Sequence, residues 1–300
     1  MSATTPHQPA TGSHTSIWGD LLGVDLAQYF IDAGGIRTRV LEAGSGPVLV
    51  MIHGTGGHLE AYARNVRVLS EHYRVVLYDM VGHGYSDKPN RPYTIDYLSH
   101  HLIALLDALE IERAHLSGES LGGWVAAWTA AHHPDRIEKI ILNTPGNITN
   151  KPEVMATVRD SSLKAVREAS PETVRTRVAW LFHDKSQVTD ELVALRLGIY
   201  SQPGFEQAME NIVAVQDWKY REPYVWSPSW CGQISAPTLL LWTDNDPTGG
   251  LDEADLLEQW IPDSRLEVIE GAGHLVHEER PGRVADLVER HARAIGILAP

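Results

Sequence analysis

The sequence predicts an α/β fold in which a mostly parallel central sheet is flanked by helices and covered by an inserted helical lid. Short, continuous apolar runs such as "PVLVMIHG" (47–54) have the length of strands that are buried on both faces. These runs alternate with segments of helical apolar spacing, as in βαβ units. From about 146 to 231 the alternation stops, and only helical patterns occur.

Local sequence signals mark the strands and helices of the core. Turn-forming glycines at 34 and 35 separate two short strands, and Thr94 and Pro134 mark where predicted helices begin and end. The later apolar runs of strand length are 47–54, 74–80, 114–118, 137–146, 236–246 and 265–270. The segments with helical spacing are 59–70, 94–111, 121–133, 251–260 and 281–295.

Three segments therefore organise the chain. Residues 1–24 begin with a small, polar, Pro-containing stretch without the apolar run of a signal peptide, and we expect a disordered tail there. Residues 25–145 and 232–300 form the predicted core. Residues 146–231 form the predicted lid, whose helical stretches are 153–169, 171–183, 189–200 and 204–217.

Composition narrows the possible partners. The 300 residues carry a formal net charge of −14, which argues against nucleic acid as a partner because phosphate binding needs a basic face. No apolar stretch approaches the roughly 20 residues of a membrane span. The single cysteine, Cys231, permits no intramolecular disulfide and suits a cytoplasmic protein. No metal or nucleotide motif is present, so we expect a small-molecule substrate and no cofactor.

The stretch "LSGESLGG" (116–123) places Ser120 in a Gly-x-Ser-x-Gly frame. The frame alone occurs by chance, but here it lies between a predicted strand and a predicted helix. A nucleophile elbow needs this context, since a sharp turn exposes the serine and requires small neighbours. We therefore interpret Ser120 as a catalytic nucleophile rather than a bystander in a turn.

A serine nucleophile needs a base and an acid that orients the base. His274 follows the strand 265–270 in a Gly-Ala-Gly-His loop and is the predicted base, whereas His277 is expected to be solvated. The acid should follow the strand 236–246. Asp246 is favoured over Asp244, because a loop needs a few residues to curl back toward the histidine.

The negative charge that forms on the attacked oxygen needs two backbone N–H donors. One is expected from Leu121, directly after the nucleophile. The second is expected from Thr55 in the loop "HGTGG", whose glycines permit a close approach of the backbone.

Taken together, the chain resembles the α/β-hydrolase superfamily. The motifs that carry the resemblance are "HGTGG", "YDMVGHGYSD", "GESLGG", "WTDND" and "GAGHLVHEERP", in the expected order, and the resemblance covers nearly everything from about residue 28 to residue 298. Within the superfamily the chain looks most like the serine hydrolases that cleave carbon–carbon bonds in meta-cleavage products of aromatic rings. The matching segments are "GTGGHLEAYARN", "VTDELVALRLGIYSQPG" and "IILNTPG".

This resemblance implies substrate contacts at Arg196, Asn65, Gly54 and Leu275, with Arg196 binding a carboxylate. Two positions depart from the family pattern, since Leu275 stands where tryptophan is usual and Glu119 where asparagine or another small polar residue is common. Five aromatic lid residues are expected either to wall the pocket or to form the lid's own core, namely Trp180, Trp218, Tyr224, Trp226 and Trp230. Relatives of this kind are often homodimers, although the sequence carries no interface signal.

Three functions remain open at this stage. The first is hydrolysis of a 2-hydroxy-6-oxo-dienoate, in which His274 assists ketonisation before the carbon–carbon bond is cleaved. The second is a carboxylesterase or lactonase acting on a small ester, for which the same triad is equally competent. The third is a small-molecule receptor on this fold, which an intact triad disfavours.

Overall fold

Eight strands form one sheet in the part of the chain that the computed structural model describes, residues 16–146 and 148–293. They are β1 (Leu26–Asp32), β2 (Arg37–Ala43), β3 (Val48–Ile52), β4 (Arg74–Tyr78), β5 (Ala114–Glu119), β6 (Ile137–Asn143), β7 (Thr238–Thr243) and β8 (Ser264–Ile269). Their spatial order is β1-β2-β4-β3-β5-β6-β7-β8. Only the β1–β2 and β2–β4 pairs are antiparallel, which confirms the predicted, mostly parallel sheet.

Helices surround this sheet and form the segment between β6 and β7. Those of the core are α1 (Ile17–Asp20), α2 (Ala63–Leu69), α3 (Ile95–Ala108), α4 (Leu121–His132), α11 (Leu251–Trp260), α12 (Val276–Glu279) and α13 (Pro281–Arg293). Those between β6 and β7 are α5 (Pro152–Arg167), α6 (Pro171–Leu181), α7 (Asp190–Tyr200), α8 (Phe205–Ile212), α9 (Trp218–Arg221) and α10 (Pro228–Cys231). Across residues 16–146 and 148–293, no helix has both the length and the apolarity needed to cross a bilayer.

The continuous apolar runs arise because the sheet is buried on both faces. Along β3, Val50 and Ile52 pack in one cluster with α3 and α4, whereas Leu49 and Met51 pack in another with α2 and α13. Successive side chains of a strand point to opposite faces, so each face needs its own apolar residues. A run such as "VLVMI" therefore has no polar positions.

The structure corrects the predicted disordered tail at residues 16–24. The Ser16 side chain caps α1, and its hydroxyl also donates to Glu191 Oε1 at 2.8 Å. The backbone N–H of Ile17 donates to Glu191 Oε2 at 2.9 Å, and Leu21 is buried. The sequence did not indicate this order, because the partner lies on α7, far along the chain. Residues 1–15 lie outside the described part.

A buried ion network fixes the loops that follow β3 and β4. Arg39 on β2 binds Asp79 at 2.6 Å and Glu60 at 2.7 Å. Asp79 also accepts hydrogen bonds from the backbone N–H groups of Leu59 and Tyr85, both at 2.8 Å. Its carboxylate therefore holds together three segments at the edge of the sheet where the parallel strands end.

We expect Asp79→Ala to lower the free energy of unfolding by about 3–5 kcal/mol, because it leaves the buried Arg39 guanidinium without one carboxylate and two backbone donors without an acceptor. Denaturant unfolding measures this loss. The matched control is Asp135→Ala at an exposed position, which should change stability by less than about 0.5 kcal/mol. Equal losses in the two variants would show that the network contributes nothing.

Candidate active site

Ser120 lies at the sharp turn between β5 and α4 in a strained backbone conformation. Its φ is 53° and its ψ is −117°, outside the regions that L-residues favour. Three backbone hydrogen bonds hold it there, between Ser120 N and Asn143 O at 3.1 Å, Trp124 N and Ser120 O at 3.1 Å, and Gly146 N and Ser120 O at 3.2 Å. Strain of this kind persists only where the surroundings enforce it and is frequent at active sites.

The two glycines of the frame are required by close backbone packing. A Cβ at Gly118 would lie 2.2 Å from the carbonyl oxygen of Gly122. A Cβ at Gly122 would lie 2.1 Å from the carbonyl oxygen of Ile52 on β3. The turn, the start of α4 and the end of β3 therefore touch through backbone atoms, which brings the loop after β3 next to Ser120.

His274 is paired with Asp246 rather than with Asp244. The distance from His274 Nδ1 to Asp246 Oδ2 is 2.8 Å, and both side chains are buried. Thr248 holds the other carboxylate oxygen, donating from its backbone N–H at 2.7 Å and from its hydroxyl at 2.8 Å. Asp244 instead accepts a hydrogen bond from the backbone of Gly271 at 2.8 Å. The choice between the two aspartates thus follows from how far the loop after β7 curls.

The second ring nitrogen of His274 faces a carboxylate that the sequence analysis had noted only as a departure. His274 Nε2 lies 3.2 Å from Glu119 Oε1, and both side chains are buried. Within the described residues, no hydrogen bond joins Ser120 Oγ to His274. Catalytic hydrogen bonds are often loose in free enzymes and form when substrate binds, so this arrangement leaves a base role for His274 open.

Two carboxylates around one imidazole favour its charged form. Burial alone would lower the pKa of His274, but Asp246 and Glu119 outweigh burial and raise the pKa to about 10. Burial raises the pKa of Glu119, but the contact with His274 more than offsets burial, so the pKa of Glu119 is lowered. The free protein therefore holds an imidazolium between Asp246 and Glu119 at neutral pH.

The backbone of two loops approaches the nucleophile, as an oxyanion hole requires. A Cβ at Gly54 would lie 2.9 Å from Ser120 Cβ and 2.4 Å from Glu119 Oε2. A Cβ at Gly146 would lie 3.5 Å from Ser120 Oγ. Thr55 and Leu121, the predicted N–H donors, line the same cavity as Ser120.

This cavity has a floor from the core and a roof from the helices between β6 and β7. The floor is formed at the carboxyl ends of the strands, where ligands bind in open α/β sheets. It includes His53, Gly54, Thr55, Glu119, Ser120, Leu121, Trp124, Gly146, Thr248, His274 and Leu275. The roof includes Val154, Val158, Arg177, Leu181, Arg196, Gln216 and Arg221.

Three arginines line the roof, of which the sequence analysis identified only Arg196. Arg196 is 4% exposed, and its buried Nε has no hydrogen-bond partner within the described part of the chain. Arg221 is anchored by Asn150 and the carbonyl oxygen of Val215, and its guanidinium lies 4.4 Å from the Trp124 ring centroid. Arg177 is also buried. No sequence signal distinguished Arg177 and Arg221 from ordinary lid arginines.

Asn65 is not among the described residues that line the cavity, and a substrate contact at this position stays a prediction. It is buried on α2, and its Nδ2 donates to the carbonyl oxygen of Pro281 at 3.4 Å. His277 is also not solvated as expected. It is fully buried and stacks on Tyr62 with ring centroids 4.4 Å apart. Both residues face the interface between α2 and the segment after His274, where packing decides their surroundings.

Three of the lid aromatics, Tyr224, Trp226 and Trp230, pack against one another or against α4, and none of the five is among the described residues that line the cavity. Trp226 and Trp230 are buried, and their ring centroids lie 4.9 Å apart. Tyr224 packs against Trp128 of α4 at 5.2 Å, and Trp218 is 52% exposed. Of the tryptophans, the cavity lining includes only Trp124, which belongs to α4.

Comparisons with known proteins agree with this geometry. Residues 47–281 match the family described as alpha/beta hydrolase fold. The chain is 31% identical over 265 residues to a 2-hydroxymuconate semialdehyde hydrolase of a Pseudomonas species, covering 86% of this chain and 91% of that protein. It is 31% identical over 254 residues to a 2-hydroxy-6-oxo-2,4-heptadienoate hydrolase of Pseudomonas putida, covering 83% and 90%.

A solved structure shows the same architecture. The meta-cleavage product hydrolase from Pseudomonas fluorescens superposes with a TM-score of 0.78 at 29% identity, covering 89% of this chain and 98% of that chain. The match to the family spans most of the chain, and the two Pseudomonas relatives are themselves hydrolases. The chain therefore belongs to the α/β-hydrolase fold family, as an enzyme similar in sequence and structure to meta-cleavage product hydrolases.

Proposed function

We propose that this enzyme is a serine hydrolase that cleaves a carbon–carbon bond in a 2-hydroxy-6-oxo-dienoate, a product of aromatic ring cleavage. The observation that carries the proposal is the buried guanidinium of Arg196, whose Nε has no hydrogen-bond partner among the described residues, in the same cavity as Ser120 and His274. The printed names of the relatives support the same substrate class.

Arg196 would bind the substrate carboxylate. A guanidinium presents several N–H donors in a planar fork that matches a carboxylate, and burial strengthens the pair. Binding at the roof would place the dienoate chain across the floor, with its 6-oxo group beside Ser120. The apolar side chains of Leu181 and Leu275 line the remaining cavity and suit the unsaturated chain.

His274 would act first as an acid and then as a base. The 2-hydroxyl group of the bound substrate loses its proton to solvent, which gives a dienolate. As an imidazolium, His274 then donates its Nε2 proton to the carbon next to the 6-oxo group, which converts the dienolate to its keto form. The neutral imidazole then accepts the Ser120 proton as Oγ attacks the 6-oxo carbon. The N–H groups of Thr55 and Leu121 hold the resulting oxyanion.

Bond cleavage completes the sequence. The carbon–carbon bond breaks, and His274 returns the proton to the leaving carbon, which leaves an acyl group on Ser120. A water molecule, deprotonated by His274, then hydrolyses this ester. Glu119 would help to keep His274 charged for the first step, and Nε2 would turn from Glu119 to Ser120 for the second.

The second candidate is hydrolysis of a small ester or lactone that carries a carboxylate. Leu275 favours it, because this residue lines the cavity where the family usually has tryptophan, so the wall next to His274 differs. The serine, base and acid required are the same. Substrate preference therefore separates the two reactions, and removal of Ser120 tests both.

The first prediction concerns the bond that is cleaved. Purified enzyme should consume a dienoate ring-cleavage product with kcat/KM of about 10⁴ M⁻¹s⁻¹ or more and hydrolyse aryl and alkyl esters weakly. Ser120→Ala should lower the dienoate rate by about 10³-fold or more, because the nucleophile is lost. Ser201→Ala, at an exposed position, is the matched control. Faster hydrolysis of esters than of the dienoate would favour the second candidate.

The second prediction concerns Arg196. Arg196→Met should raise KM for a carboxylate-bearing substrate by about 10- to 100-fold, because a buried charge-assisted pair is lost. The effect should be much smaller for the corresponding methyl ester, which has no carboxylate. Arg167→Met, on the exposed side of the lid, serves as control. An unchanged KM in Arg196→Met would remove this residue from substrate binding.

The third prediction concerns the charge on His274. Glu119→Gln should lower the pKa of His274 from about 10, because one of the two carboxylates that stabilise the imidazolium is neutralised. Titration of the His274 ring by NMR would measure the shift. In the pH profile of kcat/KM for the dienoate, the fall at high pH should shift to lower pH together with the pKa of His274. Asp244→Asn, a carboxylate bound elsewhere, should leave the titration in place, and an equal pKa in parent and Glu119→Gln would refute the coupling.

A further inference from the structure

We propose that the cavity contains a second anion subsite at Arg177 and that the substrate carries two carboxylates, one for Arg196 and one for Arg177. The inference rests on the proposed function, in which Arg196 binds the first carboxylate. It adds a second carboxylate at the end of the substrate that does not bind Arg196.

Arg177 is a buried cation with unused donors. It lies on α6, lines the roof of the cavity and is 5% exposed. Its Nε donates to the hydroxyl of Ser162 at 3.2 Å, and its buried Nη1 has no partner in the described structure. Within the same residues no carboxylate forms an ion pair with it. Its guanidinium lies 5.4 Å from the ring centroid of Trp180.

Arg177 also has a defined position relative to the reacting groups. The carbonyl oxygen of Leu181, at the end of α6, accepts a hydrogen bond from the backbone N–H of His274 at 2.8 Å. Arg177 lies four residues earlier, one helical turn away on the same face, and both residues line the cavity. A group bound by Arg177 would therefore lie about one turn of α6 from the His274 loop.

The two guanidinium groups place a double positive charge in a desolvated space. Burial, with a smaller effect from the charge of Arg196, lowers the pKa of Arg177 to about 10, so Arg177 remains charged at neutral pH. Arg196 has no ion pair or hydrogen bond with the described residues either. Buried charges without partners are costly, and a bound anion removes that cost.

The carboxyl groups of the cavity, Glu119 and Glu278, compensate this pair only in part. Glu119 is engaged with His274 at 3.2 Å. Burial raises the pKa of Glu278 to about 7, so this carboxyl is only partly ionised at neutral pH. A substrate with one carboxylate would leave one guanidinium uncompensated, whereas a dicarboxylate supplies an acceptor for each.

The apolar part of the roof fits the same ligand. Val154 and Val158 on α5 line the cavity together with Leu181 on α6. A hydrocarbon chain that separates two acid groups would contact these side chains while its ends meet Arg196 and Arg177. The ligand class is therefore an apolar chain with a carboxylate at each end.

The test measures binding without turnover in the Ser120→Ala protein. The two probes are a 2-hydroxy-6-oxo-dienoate whose chain ends in a carboxylate and the same molecule with a terminal carboxamide. The dicarboxylate should bind at least about tenfold more tightly, as expected for one charge-assisted pair. Adding Arg177→Met should bring the ratio of the two Kd values close to one. Adding Arg175→Met, on the same helix but exposed and paired with Asp190, should preserve the ratio.

Equal binding of the two probes by the Ser120→Ala protein would overturn the proposal, as would a ratio that Arg177→Met leaves unchanged. If Arg177→Met fails to fold, Arg177→Lys replaces it, because lysine keeps the charge but not the planar fork of N–H donors. This variant should give an intermediate ratio of the two Kd values. An undiminished ratio in Arg177→Lys also counts against Arg177. Failure of the proposed function gives a different result. If the Ser120→Ala protein binds the dicarboxylate tightly but the parent enzyme does not hydrolyse it, the proposed reaction is rejected and the subsite is retained.

Discussion

The site depends on a contact between backbone atoms that excludes any side chain. Gly118, Gly122 and Ile52 meet closely at the end of β5, and this contact forces Ser120 into its positive φ. The same contact brings the loop after β3 against Ser120. A single backbone contact therefore positions both the serine and the two expected oxyanion donors. The sheet and its two apolar layers supply the rigidity that keeps the strained turn in place.

The second constraint is electrostatic and concerns the histidine. Asp246 and Glu119 hold His274 from both ring nitrogens, and Glu119 is the residue next to the nucleophile. One chain segment thus carries both the predicted nucleophile, Ser120, and a carboxylate that binds the predicted base, His274. The charge state of His274 and the formation of its bond with Ser120 are therefore not independent.

Much of this arrangement could be predicted because its signals are local. The elbow requires small residues and a serine within eight positions, and loop length alone separates Asp246 from Asp244. The contact between Glu119 and His274 could not be inferred, since it depends on how two distant loops pack. The burial of His277 against Tyr62 could not be inferred for the same reason, since it too depends on how segments far apart in the chain pack together.

Arg175 and Arg177 show the limit of helical patterns most clearly. They are two residues apart on α6, yet one is exposed and paired with Asp190 while the other is buried in the cavity roof. Two residues correspond to about 200° around a helix, so the two arginines must lie on nearly opposite faces, but the sequence does not say which face is buried. Only the packing of α6 against α5 and the core decides which arginine faces the ligand.

The hydrogen bonds between the start of the described chain and Glu191 have a mechanical consequence. Helix α1 touches the core as well, since Arg67 on α2 donates to the carbonyl oxygen of Asp20 at 3.0 Å. Residues 16–20 thus form a strap that ties α7 to the body of the protein. Any outward swing of α7 must break the two bonds to Glu191 or carry the strap with it. If a ligand enters by displacing α7, its entry would therefore also disturb the first turn of helix in the described chain.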